Sequence, residues 1–335
     1  MKSDLLIVGT GAMATLFASR LTSAGCAVTM LGAWPDGLAA LREQGARLVD
    51  ANGHEQRFSV RVVDDARECK NIKHALVLVK AWQTDRAARQ LADCLAQDGI
   101  AVTLQNGLGN REILAKYLDV LFTTESTENI EKKQKKGSVN SMVKDSPLSR
   151  VALGTTTTGA TLLGPGLVKA GGEGKISIEA HPALGPLEEA LRNAKFDVEI
   201  VRDAKSLVWG KLVINSAINP LTALLKIPNG ELLKRPSARA LMRALVEETA
   251  AVAAAEKIKL PFSDPADAVE EVARKTALNH SSMWQDVQRG APTEIDAICG
   301  AISRMGKQYQ IATPINDACW QLVQALSPLS SHNRN

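Results

Sequence analysis

Lys211, Asn215 and Asn219 stand four residues apart in the run from Trp209 to Leu224. On a helix that spacing sets them in one row, and the residues between them are apolar or small. One ammonium and two carboxamides on a greasy helix must meet hydrogen-bonding partners, because unpaired buried polar groups are costly. Two readings fit. In one, the lysine snorkels to the surface beside two satisfied amides. In the other, the row lines a cleft: the lysine donates a proton and the amides hold a polar substrate. Pro220, next to Asn219, predicts a kink or break there that leaves carbonyls free.

A second set of residues suits a nucleotide. Leu5-Leu6-Ile7-Val8 reads as a short buried strand and runs into Gly9-Thr10-Gly11-Ala12-Met13-Ala14. A helical pattern (Leu16, Phe17, Leu21, Ala24) follows, closed by Gly25, and Ala27 to Leu31 reads as a second strand. Between a strand and a helix, a G-x-G-x-x-A run lets the backbone approach a pyrophosphate at a helix N-terminus. A tight turn without a ligand is the alternative. The second strand ends in Leu31-Gly32-Ala33-Trp34, with neither an acid for a ribose hydroxyl nor an arginine for a 2′-phosphate. Asp36 is expected to cap the helix through Leu38 and Leu41.

Further elements must carry the rest. Asn52-Gly53 predicts a hairpin between Arg47–Val49 and Phe58–Val63. Strand 75–79 ends at Lys80, and strand 100–104 at Gln105-Asn106-Gly107. In such sheets ligands lie beyond the carboxyl ends of the strands, where Lys80 and Asn106 fall; a solvated strand end and a plain turn are the alternatives. Helix 84–96 links the two strands. From 118 to 149 the chain turns polar and aperiodic, including Glu131-Lys132-Lys133-Gln134-Lys135-Lys136, and reads as a disordered insertion without chemistry. Strand 151–154 and the glycine-rich 155–178 predict antiparallel edges to the same sheet, then helix 187–194 and strand 196–201. After Arg202-Asp203 only helical patterns appear, at 204–225, 237–257, 264–278, 293–310 and 314–327. Glu294 in Pro292-Thr293-Glu294-Ile295-Asp296 sits at an expected helix start, where capping competes with chemistry as its role. The fold class is therefore α/β: an N-terminal Rossmann-type doubly wound sheet domain over 1–202, then an all-α C-terminal domain over 203–330.

Composition narrows the function. Lys+Arg 40 against Asp+Glu 36 leaves a net +4 with no strongly basic stripe outside one short block, so no nucleic acid is expected. Five scattered cysteines without a Cys-x-x-Cys pair argue against a disulfide frame or metal site and for a cytoplasmic location. No apolar run is long enough to span a membrane, and no signal peptide is read at the start.

Together these words resemble the ketopantoate reductase (2-dehydropantoate 2-reductase) family over almost the whole chain except 118–149. The matching words are Gly9-x-Gly11-x-x-Ala14, Val79-Lys80-Ala81-Trp82-Gln83, Gln105-Asn106-Gly107-Leu108-Gly109, Gly154-Thr155-Thr156-Thr157, the run from Lys211 through Asn215 and Asn219 to Ala223, Pro228-Asn229-Gly230-Glu231, Ser281-Ser282-Met283-x-Gln285-Asp286, and Thr293-Glu294-Ile295-Asp296. The resemblance implies NADPH-dependent reduction of ketopantoate to pantoate, with NADH not excluded. It implies that Lys211 protonates the carbonyl oxygen and that Glu294 holds that lysine and touches the cofactor. It places Asn106 at the nicotinamide side, Lys80 and Gln83 toward the adenosine end, and Ala160 along the cofactor with the fingerprint residues Gly9 to Ala14. Asn106, Asn215, Asn219, Asn229 and Ser282 would grip the substrate. The family often has an arginine where Gly32-Ala33 stand here. A reductase of another branched 2-oxo acid and a non-catalytic nucleotide-binding sensor are the other functions considered. The partner expected is a small 2-oxo acid, with a homodimer left open.

Overall fold

Residues 5–50, 52–119 and 148–326 are described by a computed structural model. The chain divides into two compact units, Met1–Val79 with Gln83–Gln105 and Asn110–Arg202, and Lys80–Trp82 with Asn106–Gly109 and Asp203–Asn335. The expected insertion at 118–149 falls almost wholly outside the described residues, which stop at 119 and resume at 148.

The first unit is built on alternating apolar strands. Its elements are β1 (Leu5–Val8), α1 (Ala12–Ser23), β2 (Val28–Leu31), α2 (Pro35–Gln44), β3 (Ala46–Val49), β4 (Glu55–Phe58), β5 (Arg61–Val63), β6 (Ile72–Val77), α3 (Thr84–Cys94), β7 (Leu95–Thr103), α4 (Asn110–Leu118), β8 (Val151–Thr156), β9 (Ala160–Gly164), β10 (Leu167–Ala170), β11 (Lys175–Glu179), α5 (Gly185–Asn193) and β12 (Asp197–Val201). Eight strands form one mixed sheet in the order β12-β11-β8-β7-β6-β1-β2-β5, parallel from β8 to β5. Strand β11 runs antiparallel to β8 and parallel to β12. The sheet is covered on both faces, and its inner strands β1 and β2 are buried throughout. Leu5 and Ile7 face the cluster of Phe17, Leu21, Leu187 and Leu191; Leu6 and Val8 face that of Ala87, Leu91 and Leu114. Sequence order reverses on either side of β1, so the crevice beyond β1 is the place where a nucleotide binds in such sheets.

Several expectations are corrected. The hairpin at Asn52-Gly53 pairs β3 with β4, whereas Arg61–Val63 leaves it and lies parallel to β2 in the main sheet. The glycine-rich strands do not all extend the main sheet: β9 and β10 join β3 and β4 in a separate four-stranded sheet, order β4-β3-β10-β9. That pairing is parallel between β3 and β10, over a sequence distance that no local pattern reveals. Asp36 does not cap α2. Trp34 holds the cap position without a side-chain bond, and Asp36 lies in the first turn, favourable to the helix dipole.

The second unit is helical: α6 (Lys205–Leu225), α7 (Glu231–Lys234), α8 (Pro236–Ala255), α9 (Pro265–Lys275), α10 (Ser282–Gln288), α11 (Cys299–Tyr309) and α12 (Pro314–Leu326). Its core gathers around α6 and includes Leu212, Val213, Ala217, Met242, Leu245, Ile302 and Val323. Pro220 does not break α6, which runs unbroken to Leu225. The proline ring removes the donor that Ser216 O would receive. The Cys299 thiol lies 3.9 Å from that carbonyl and donates to it, while Thr222 Oγ1 lies 2.9 Å from Ile218 O and 3.0 Å from Asn219 O. The carbonyls near the proline are thus not left free, and buried packing offsets what the proline costs. The expected helix at 293–310 begins only at Cys299, so Glu294 does not start a helix but precedes a run of turns.

Candidate active site

In the first unit the fingerprint takes the shape that its glycines dictate. Gly9 has φ +136, which L side chains rarely adopt, and a Cβ there would come 3.2 Å from the Leu78 carbonyl. Gly11 precedes α1 with no side-chain cap, and a Cβ on it would meet nothing within 4 Å. The first-turn N–H groups of α1 are therefore approached over bare backbone, as a phosphate requires. Thr10 is buried. Gly32 abuts it so closely that a Cβ on Gly32 would come 2.4 Å from Thr10 Cγ2. Met13 is partly buried against the core, and Ala14 is fully buried beneath the turn. Gln83 closes the short helical turn before α3, and Ala160 opens β9 in the small sheet.

A buried polar network fixes where the chain leaves β6 and β7. Gln105 Nε2 donates to Val79 O (3.0 Å) and to Thr84 Oγ1 (2.8 Å), and Gln105 Oε1 accepts from Thr103 Oγ1 (2.9 Å). Thr84 Oγ1 also lies 2.8 Å from Asn110 Oδ1. These bonds tie the residues just before Lys80 and Asn106 to one another.

Lys80 and Asn106 themselves belong to the second unit. Asn106 Nδ2 donates to Glu294 Oε2 at 2.9 Å, and the Ala81 N–H donates to Glu294 Oε1 at 3.1 Å. Gly107, at φ +80, allows the tight approach: Leu108 N–H donates to Ala297 O at 2.9 Å, and a Cβ on Gly107 would come 2.4 Å from that oxygen. Lys80 Nζ lies 2.6 Å from Asp286 Oδ2 and 3.7 Å from Glu294 Oε2. Asp286 is 2% exposed and also pairs with Arg289 at 2.7 Å.

Electrostatics separate the two lysines. Burial lowers the Lys211 pKa to about 8, with the Glu294 carboxylate pulling it upward. Burial opposes the charge of Lys80 too, but Glu294 and Asp286 outweigh it and hold that pKa above its usual value. Burial also raises Asp286, against the pull of Lys80. One lysine is thus a locked ion-pair partner, and the other can give up a proton near neutral pH.

Lys80, Asn106, Lys211 and Glu294 therefore form one electrostatic group. Asn215 is partly buried and Asn219 buried on the same helix as Lys211. Among the described residues no hydrogen bond of either carboxamide is seen. Asn229 is buried, donates from Nδ2 to Thr276 Oγ1 (2.9 Å), and its Oδ1 is unpartnered among the described residues. Ser282 is exposed in the first turn of α10; its neighbour Ser281 is the buried one, capping Trp284 N and lying 2.7 Å from Thr222 Oγ1. The hydrogen bonds around Glu294 run through neither Asn229 nor Ser282. Asp286 was given no role in the sequence, although its i,i+3 spacing to Arg289 on a helix with Met283 and Trp284 was a readable signal. Among the described residues no cluster of His, Cys, Asp or Glu could hold a metal ion, and no helix is long and apolar enough to cross a membrane.

Comparison with known proteins agrees in both halves of the chain. The model of the ketopantoate reductase PanE/ApbA family matches residues 5–183, and that of its C-terminal domain matches 203–327. The 2-dehydropantoate 2-reductase of Archaeoglobus fulgidus is 32% identical over 330 residues, 96% of each chain. A PanE/ApbA family ketopantoate reductase from Ralstonia eutropha shares the fold with a TM-score of 0.81 at 28% identity, over 96% of this chain and 98% of that one. D-mandelate dehydrogenase, solved with NADH and anilino(oxo)acetate, gives a TM-score of 0.82 at 26% identity over the same shares. With more than half of its length matched by the N-terminal model and the helical unit by the C-terminal one, the chain belongs to the ketopantoate reductase family of oxidoreductases.

Proposed function

We propose that this protein catalyses the NADPH-dependent reduction of 2-dehydropantoate (ketopantoate) to pantoate, a step toward pantothenate and coenzyme A. The observation that carries the reading is Lys211: a partly buried lysine with a pKa near 8, under the influence of Glu294 and in a row with Asn215 and Asn219. The fingerprint supports a dinucleotide, since Gly9 and Gly11 leave the start of α1 open to a pyrophosphate. A reduced nicotinamide, when bound, supplies the hydride.

The protein's own residues do the rest. Lys211 in its ammonium form donates a proton to the ketone oxygen as negative charge develops there, so C=O and H⁺ with hydride give CH–OH. The lysine is left neutral and regains a proton from solvent. Glu294, fixed by Asn106 and the Ala81 N–H, supports the ammonium against burial. Asn215 and Asn219 offer donors and acceptors suited to a hydroxyl and a carboxylate. Preference for NADPH over NADH is expected to be shallow. Gly32 and Ala33 supply no cation at the end of β2, and the Lys80 ammonium is engaged by Asp286 and Glu294.

A second reading, favoured by the likeness to D-mandelate dehydrogenase, is a reductase of another branched or aromatic 2-oxo acid. Oxidation of NADPH and of NADH with ketopantoate, 2-oxoisovalerate, phenylglyoxylate and pyruvate separates the two. Ketopantoate is expected to give the highest kcat/KM. Phenylglyoxylate ahead of it would select the second reading, and pyruvate ahead of both would reject the substrate class.

A further inference from the structure

Glu294 acts on two lysines: it lies 3.7 Å from Lys80, and its charge raises the pKa of Lys211 against burial. What keeps the first from taking the whole carboxylate is visible in the geometry. Asp286, buried at the middle of α10, holds Lys80 Nζ at 2.6 Å, more than an ångström closer than Glu294 does. Its other oxygen is occupied by Arg289 at 2.7 Å, so it is fixed in place. We propose that Asp286 is a positioning residue: by holding Lys80 it keeps the charge of Glu294 available to Lys211.

Among the described residues, charged groups that act on this cluster include the following: Lys80 is acted on by Glu294, Asp286 and Arg289; Asp286 by Lys80, Glu294 and Arg289; Lys211 by Glu294. Without the Asp286 charge, Lys80 would close the remaining distance onto Glu294 Oε2. A direct ion pair would then neutralise the carboxylate that supports Lys211, and burial would act on Lys211 unopposed. Without Lys80, Glu294 would serve Lys211 alone. The two substitutions therefore have opposite signs, which a merely structural role for Asp286 would not produce.

This inference rests on the reading of Lys211 as proton donor, but it can be measured without any substrate. In protein carrying [¹³C]lysine, the Cε resonance of Lys211, assigned by its loss in Lys211→Arg, reports the titration of that amine. Asp286→Asn is expected to lower the midpoint by about one pH unit, the effect of a neighbouring charge. Lys80→Met is expected to raise it, and the double variant to bring it back to the wild-type value or above. An unmoved midpoint in folded Asp286→Asn overturns the proposal. If that variant does not fold, Lys80→Met decides alone, and an unmoved or lowered midpoint there overturns it equally. A shifted midpoint in a protein that reduces no 2-oxo acid supports the charge relationship and rejects the reaction. Turnover that depends on Lys211, with midpoints unmoved, keeps the reaction and rejects the role given to Asp286.

Discussion

Asn106 Nδ2 donates to Glu294 Oε2 across 2.9 Å, joining a residue just past β7 to one just ahead of α11. The second oxygen of the same carboxylate accepts the Ala81 N–H at 3.1 Å. With a donor on each oxygen the carboxylate is fixed, so its charge acts on Lys211 from a constant position. Glutamine cannot replace it quietly. It has one acceptor oxygen and one NH₂ group, and either Asn106 or Ala81 would then face a donor. Glu294→Gln is expected to lower kcat/KM by about 10²-fold, as loss of a preorganised charge does. Combined with Lys211→Ala the effects should be less than additive, since both act on one proton transfer. Steady-state kinetics on the two single variants and the double check this; near-normal turnover in Glu294→Gln would leave the residue a structural acid only.

The pH dependence follows from Lys211, which burial lowers to about 8 against the pull of Glu294. The ammonium is the donor, so reduction should hold below about pH 8 and fall about tenfold per unit above it. The reverse oxidation needs the free amine as base and should rise through the same pH. Stability carries the opposite sign to the usual gain from a paired lysine. The folded pKa lies below the ordinary 10.5, so the unfolded chain keeps a proton that the folded protein has lost. Stability should therefore rise with pH between about 8 and 10.5, relative to Lys211→Met. Rate profiles and denaturant midpoints of the two proteins over that range give the answer, and a reduction rate flat to pH 10 would remove Lys211 as the donor.

How much of this could be read in advance differs from element to element. The strand–glycine–helix opening was legible because apolar runs and Gly9-x-Gly11 are local signals. So were the eight-stranded sheet's class and the helical second half. The small sheet was not, because β10 finds β3 from over a hundred residues away and in parallel. Pro220 misled for a related reason: the acceptor it orphans is met by Cys299, which only the fold brings there. Within the site, the partners of Lys80 and Asn106 were not legible. Nothing local in Lys80 says that Asp286 rather than a phosphate will occupy its ammonium.

Gly32 offers a test in the first unit. A Cβ there would come 2.4 Å from Thr10 Cγ2, and Thr10 lies within the fingerprint turn. Gly32→Ala should push Thr10 aside, with a cost of about 1–3 kcal/mol from overpacking and a weaker grip on the dinucleotide. Thr10→Ala removes both the methyl and the hydroxyl, which would lie 2.4 and 2.9 Å from that Cβ, so Gly32→Ala with Thr10→Ala should regain part of the loss in stability. Melting curves and NADPH fluorescence titrations on the three variants measure it. An undisturbed Kd and Tm in Gly32→Ala would show that the turn yields freely.

The last prediction concerns 120–147, whose two flanks are tied to each other. Asp119 accepts Ser149 Oγ–H at 2.7 Å and the Arg150 N–H at 2.8 Å. The buried Arg150 guanidinium then reaches Leu118 O at 3.0 Å and Leu95 O at 3.2 Å, so α4, β7 and β8 are clamped at this point. Ends so close can be joined by about two or three residues. Replacing 120–147 with such a joint should therefore leave kcat within a few-fold and Tm at least unchanged. Arg150→Met in the full chain should lower Tm, because it strips four buried carbonyls of their donor. If the shortened protein fails to fold or loses turnover while the full chain keeps both, the segment contributes packing that the pinned ends alone do not supply.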